Sequence, residues 1–126
     1  MTTVVTGTRQ DAEVGLENFS DMAIIRLELP DGAYVIIAKT VLRNFDGDGQ
    51  NAAARLTNNE ADLDRADIRL SGNGNAQWAA QEVSLQATLI IDEESPDRIV
   101  DLRAQTWNGA AVQSSIIAIQ VDVLNN

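Results

Sequence analysis

The sequence predicts an all-β fold, a sandwich or barrel of antiparallel strands. Three observations predict it. Apolar and polar residues alternate with period two in several segments, which is the signature of a strand with one buried face. Turn-forming residues punctuate those segments: "LPDGA" at 29–33, "FDGDGQN" at 45–51, "LSGNGNA" at 70–76, "DEESPD" at 92–97 and "WNGA" at 107–110. Pro fixes φ, and Gly and Asn accept positive φ, so each cluster marks a change of direction with a physical cause. Finally, the segments between those clusters are mostly strand-like, and several strands with turns between them read as a sandwich or barrel.

The elements follow in order. "MAIIRLEL" (22–29) sets Ile25, Leu27 and Leu29 against Arg26 and Glu28. "AYVIIAKTVL" (33–42) places Tyr34, Ile36, Ala38, Thr40 and Leu42 on one face and Val35, Ile37, Lys39 and Val41 on the other. "SLQATLII" (84–91) aligns Leu85, Ala87, Leu89 and Ile91. "RIVDLRAQTW" (98–107) divides Val100, Leu102 and Ala104 from Asp101, Arg103 and Gln105. "IIAIQVDVL" (116–124) groups Ile117, Ile119, Val121 and Val123, with Ile116, Ala118 and Leu124 opposite. Two segments, "NNEADLDRADIRL" (58–70) and "AQWAAQEVSLQATL" (76–89), also fit helical spacing. We read both as mainly strand, because a lone helix has no groove to fill in an all-β domain. A short helical turn near 59–66 is compatible with that reading.

The segment 33–42 and the final strand carry more information than the rest. A strand with one face in water should alternate cleanly, yet both of these are apolar on both faces. A second cover is required, and a single sandwich has one interior. Loops longer than about 12–15 residues are uncommon, and few are available here, so the cover is expected from a partner subunit. Tyr34, Ile36, Ile37, Ala38, Lys39, Ile117, Ile119 and Val121 are therefore the candidate core or interface positions. Lys39, the one lysine, is expected at a rim or paired with an acid across a subunit contact.

The length of 126 residues points to one domain spanning 1–126. Nineteen acids against nine bases give a net charge of −10, which argues against nucleic acid and anionic membranes as partners. The longest apolar run, "YVIIA", has strand length, so no membrane insertion is expected. The N-terminus shows neither a basic start nor an apolar run of signal length, so a soluble protein is expected. With no cysteine and no histidine, disulfides, thiolate sites, imidazole metal sites and Ser-His-Asp triads are all excluded. Carboxylate pairs remain, but no pocket signature accompanies them, and we expect no enzyme.

"NFDGDG" at 44–49 resembles the first half of an EF-type calcium loop. Position 12, where such a loop needs a bidentate Glu, is Arg55, and the preceding segment is a strand. The reading is therefore a hairpin tip with Gly47 and Gly49 at positive φ. Asp46 and Asp48 stay as candidates for a calcium site of another kind; no other cofactor is expected. Of two Trp, two Phe and one Tyr, the tryptophans read first as core because of the area each buries. The alternative is a monomeric carbohydrate-binding β-sandwich with Trp78 or Trp107, the latter beside a turn, as a stacking platform.

"LPDGAYVIIAKTVLRNFDG" (29–47) and "SSIIAIQVDVLN" (114–125) resemble the corresponding segments of bacterial jelly-roll domains related to the C1q and tumour necrosis factor fold. In C1q-like domains a Gly-x-Tyr-x-apolar stretch opens a central strand, and Gly32, Tyr34 and Ile36 stand in those places. The resemblance implies a two-sheet jelly-roll sandwich of about eight to ten antiparallel strands. It also implies a homotrimer that does adhesion, recognition or particle-surface work, outside or on the surface of a cell. Calcium sometimes binds near the apex of such trimers. The chain departs from C1q domains in its poverty of aromatics.

Overall fold

The computed structural model describes residues 4–72 and 79–121. Among the described residues, nine antiparallel strands form two sheets: β1 Val5–Gln10, β2 Val14–Glu17, β3 Met22–Glu28, β4 Gly32–Asn44, β5 Gln50–Asn58, β6 Ala61–Leu70, β7 Ala79–Ile91, β8 Ile99–Thr106 and β9 Asn108–Val121. One sheet runs β1-β9-β4-β7, with β2 continuing β1 along β9; the other runs β3-β8-β5-β6. The chain crosses from one sheet to the other at every connection from β2 to β9 except β5–β6. That winding is the jelly roll, a double Greek key.

The alternation read from sequence decides which face turns inward. Tyr34, Ile36, Ala38 and Leu42 of β4 are buried, and they meet Val100, Leu102 and Ala104 of β8 and Ala52, Ala54 and Leu56 of β5 across the interior. Ile116 and Ala118 of β9 and Val83, Leu85 and Ile91 of β7 complete that layer. Two polar side chains enter the core together: Thr40 and Ser114 are buried and share a hydrogen bond of 2.8 Å. Ser114 faces inward because β9 bulges at Gln113, whose φ is +53°. Pairing resumes with Lys39 opposite Ser115, and alternation in β9 is regular only from there.

Three sequence expectations need correction. Residues 45–49 are no hairpin tip. They form a corner that carries the chain from β4 in one sheet to β5 in the other, and neither Gly47 nor Gly49 has positive φ. Side chains, not a turn type, hold this corner. Asn44 Nδ2 donates to the carbonyls of Asp48 (2.9 Å) and Ser71 (2.7 Å), and Asn44 Oδ1 accepts from the Asp46 N–H (2.8 Å). Gln50 bonds Asn44, accepts from Thr106 Oγ1 (2.8 Å) and from the Asn108 N–H (2.9 Å), and donates to the Asn108 carbonyl (2.6 Å). The glycines this end does require are Gly109, where a Cβ would lie 2.0 Å from the Arg43 carbonyl oxygen, and Gly72, where one would lie 2.2 Å from the Gly47 carbonyl oxygen.

The segment 59–66 contains no helical turn. Asn59 and Glu60, at φ +52° and +65°, make the two-residue hairpin between β5 and β6, the primed-turn conformation that suits strand twist. Trp107 is not in the core. It is the single residue linking β8 to β9 and is 56% exposed. Trp78, Val123 and Leu124 lie outside the described residues.

Candidate functional site

The two outer faces of the sandwich differ in kind. On the β3-β8-β5-β6 sheet a cluster of the outward side chains is charged and paired. Arg26 meets Asp101 at 3.2 Å, Arg55 meets Asp21 at 2.7 Å and Asp62 at 2.8 Å, and Arg103 meets Asp21 at 2.7 Å and Asp101 at 3.2 Å. Asp21, Arg26, Arg55, Asp101 and Arg103 line a depression of about 400 Å³. The Asp21 hydrogen bond, its largest influence, holds the Arg103 guanidinium above its ordinary pKa. This is a solvated face, as one side of an antiparallel sheet commonly is.

The outer face of the β1-β9-β4-β7 sheet is apolar over half its length. Ile37 lies between Ile117 on β9 and Gln86 on β7. Val35 lies between Ile119 and Thr88, and Ala33 between Val121 and Ile90. On the far side of β9, Val5 stands opposite Ile119 and Gly7 opposite Ile117. No described segment covers these side chains. Val5 is 61% exposed, Ile90 54% and Ile117 40%, while Val35, Ile37, Ile119 and Val121 are half-buried by their neighbours on the sheet alone.

Toward the β9 bulge the same face turns polar. Lys39 sits between Ser84 and Ser115, with Arg9 opposite Ser115. Arg9, Lys39, Val41, Glu82, Gln113 and Ser115 surround a recess of about 150 Å³. Lys39 is exposed, and among the described residues it makes no ion pair.

The structure thus divides the sequence candidates by parity. Tyr34, Ile36 and Ala38 are core; Ile37, Lys39, Ile117, Ile119 and Val121 share the open face. Asp46 and Asp48 lie in the β4–β5 corner, far along the strands from that apolar half. Asp46 Oδ1 accepts from Asn108 Nδ2 at 2.8 Å. Among the described residues no group of three His, Cys, Asp or Glu side chains converges, at this corner or elsewhere. The sequence reading missed β1, β2 and the contribution of Val5 and Ile90; alternation within "SLQATLII" already placed Ile90 opposite the buried set. Among the described residues no helix is long and apolar enough to cross a membrane.

The sequence matches no protein-family model and no curated protein. Its fold is similar to solved structures of infectious bursal disease virus. The T=1 particles derived from that virus superpose with a TM-score of 0.57 at 9% identity, over 94% of this chain and 32% of theirs. The VP2 subviral particle gives 0.54 at 9%, over 94% and 32%, and the Gx strain structure 0.55 at 11%, over 98% and 33%. This chain therefore spans about a third of the length of the chains it resembles, and at such identity the likeness is one of fold: an all-β jelly-roll sandwich.

Proposed function

We propose that this domain is a non-enzymatic structural module that self-assembles through the outer face of its β1-β9-β4-β7 sheet, as a homotrimer at the surface of a cell or particle. The observation that carries the reading is the asymmetry of the two faces. One is laced with ion pairs, and the other exposes Val5, Ile90 and Ile117 around a half-buried apolar centre. Fully burying a Val or Ile side chain is worth about 1.5–3 kcal/mol, so a partner surface of the same character recovers several such terms. A second copy of the chain supplies one, since self-complementary apolar patches are how obligate oligomers use core-like surface. The jelly-roll neighbours that are described as particles support an assembling role, and the C1q and tumour necrosis factor resemblance of Gly32, Tyr34 and Ile36 supports three copies rather than two. The polar end with Lys39 and Glu82 is the rim of this contact. The lack of histidine and cysteine supports work without catalysis.

Size-exclusion chromatography with light scattering tests the reading. A mass near three times the 13.6 kDa chain is expected, falling to one chain, with the β circular dichroism unchanged, in Ile37→Asp and Ile119→Asp. A wild-type mass of a single chain at micromolar concentration would sink it.

A further inference from the structure

At the corner end of the sandwich, the β2–β3 loop lies over the charged sheet and presents an aromatic ring. Asn18 and Phe19 have φ of +57° and +55°. For a bulky residue such as Phe this is a conformational outlier that costs about 1–3 kcal/mol and persists only where its surroundings impose it. Here the β8–β9 link imposes it. The Asn18 N–H bonds the Trp107 carbonyl at 2.9 Å and the Phe19 N–H bonds the Thr106 carbonyl at 3.1 Å. The result is a pair of rings, Phe19 and Trp107, with centroids 5.4 Å apart and planes tilted by 30°. Trp107 keeps 56% of its surface in water.

Beside this pair lies an open depression of about 480 Å³ lined by Phe19, Asn51, Arg65, Asp67, Ile68 and Arg69. Its polar groups are set by strand pairing, since Asn51 on β5 is opposite Arg69 on β6. Arg65 and Asp67 form a fork, with contacts of 2.9–3.1 Å. Arg69 differs from its neighbours. It reaches Asn51 Oδ1 at 3.2 Å and the Gly49 carbonyl at 3.4 Å, and it pairs with no carboxylate among the described residues. Every other described arginine has an acidic partner. In a chain of net charge −10, an arginine left without an acid beside the half-buried Phe19 ring is a site of local positive charge.

We propose that this depression binds a carboxylated sugar, a uronate or sialate unit of a glycan. The apolar C–H face of the pyranose packs on Phe19, whose ring is paired with that of Trp107, as ligand sites combine an apolar wall with a few placed polar groups. Arg69 takes the sugar carboxylate through its planar fork, a match in geometry as well as charge. Asp67 accepts from one ring hydroxyl and Asn51 Nδ2 donates to another. This proposal goes beyond the assembly reading and uses the opposite face of the sandwich.

Replacing Trp78 by Phe leaves Trp107 as the one tryptophan and so as the reporter. Trigalacturonate, sialyllactose, maltotriose and sodium acetate are titrated separately into that protein at low salt. The expected result is a saturable change in Trp107 emission with trigalacturonate or sialyllactose, stronger than with maltotriose, with the responding sugar identifying the source. Arg69→Gln, on an exposed side chain, is expected to lower that affinity at least about tenfold, to the maltotriose level, while leaving the circular dichroism and the oligomeric mass unchanged. Phe19→Ala is expected to weaken both classes of sugar together. No saturable change up to about 10 mM of either acidic sugar, equal binding in Arg69→Gln, or an identical response to acetate alone overturns the proposal.

Discussion

Arg55 and Arg103 lie directly opposite one another on β5 and β8, and a single oxygen, Asp21 Oδ2, sits 2.7 Å from a nitrogen of each. Like charges directly opposite across strands are destabilising. The Asp21 carboxylate converts that repulsion into a bridge, and in doing so ties the β2–β3 loop to the sheet. Asp21→Asn keeps the shape and removes the charge. It is expected to cost about 1–3 kcal/mol, read as a lowered Tm. Replacing Arg103 by Leu in the same chain should recover part of the loss, because the repulsion is then gone. An unaltered Tm in Asp21→Asn would show that the bridge contributes nothing net.

Ile36 and Ile37 are neighbours in sequence with opposite surroundings, one fully buried in the interior and one half-buried on the open face. Ile36→Ala should destabilise by about 2–5 kcal/mol through the cavity it leaves. Ile37→Ala should leave the isolated chain within about 1 kcal/mol of wild type, and should act on the oligomer instead. Chemical denaturation at dilute and concentrated protein separates the two. A concentration-dependent loss confined to Ile37→Ala is the expected pattern.

Gly109 and Gly15 make a second contrasting pair. A Cβ at Gly109 would fall 2.0 Å from the Arg43 carbonyl oxygen, whereas one at Gly15 meets nothing within 4 Å. Gly109→Ala must push β9 away from β4 and should cost about 1–3 kcal/mol or more. Gly15→Ala should fall within about 0.5 kcal/mol of wild type. Thermal melts of the two variants side by side provide the comparison, and equal Tm values would contradict the close approach at the β8–β9 corner.

Tyr34 gives the alkaline limit of stability. Its ring is buried, and its hydroxyl donates to the Pro30 carbonyl at 2.8 Å. Burial first, then the nearby Asp31 carboxylate, raises its pKa above the ordinary value near 10, against a lowering pull from Arg98. A group raised on folding contributes stability that is full below the unfolded pKa and lost as pH climbs through the folded one. Stability should therefore decline above about pH 10, and Tyr34→Phe should remove that part of the decline. As the chain holds one tyrosine, phenolate absorbance follows the ionisation directly; a midpoint at or below the ordinary value would refute the shift.

Much of this architecture was legible in the sequence, and the failures share a physical origin. Alternation assigned the inward faces of β4, β7 and β8 because side-chain parity in a strand is strict. The outward apolar set on β4 and β9 was visible for the same reason. The turn signals were read correctly as reversals, but a reversal does not say which sheet the chain enters next. The corner at 45–49 was therefore taken for a hairpin. Helical spacing within 58–70 came from a bulge. Leu56 pairs with Asp64 and Thr57 with Asp62, so Leu63 is skipped in the register. Leu63 and Ala66 then both reach the core three residues apart. β1 escaped notice because Thr and Gly fill it and only its pairing with β9 makes it a strand. Trp107 was placed inside on account of its size, yet a one-residue link between two sheets has no room to turn it inward. The depression at Arg69 has no motif, since its parts converge from β5, β6 and a loop.

The position of β9 has a consequence for biosynthesis. That strand is wedged between β1 and β4, yet both of its neighbours leave the ribosome well before it. The roughly 60 residues from Asn44 to Asn108 take about 3–12 s to synthesise at about 5–20 residues per second. Throughout that interval the β9-facing edges of β1 and β4 have no partner strand, and any extended segment nearby can pair with them. On a crowded polysome the nearest such segment belongs to the next nascent chain, so slower elongation through residues 45–107 should favour strand-exchanged and insoluble product over the correctly closed sandwich.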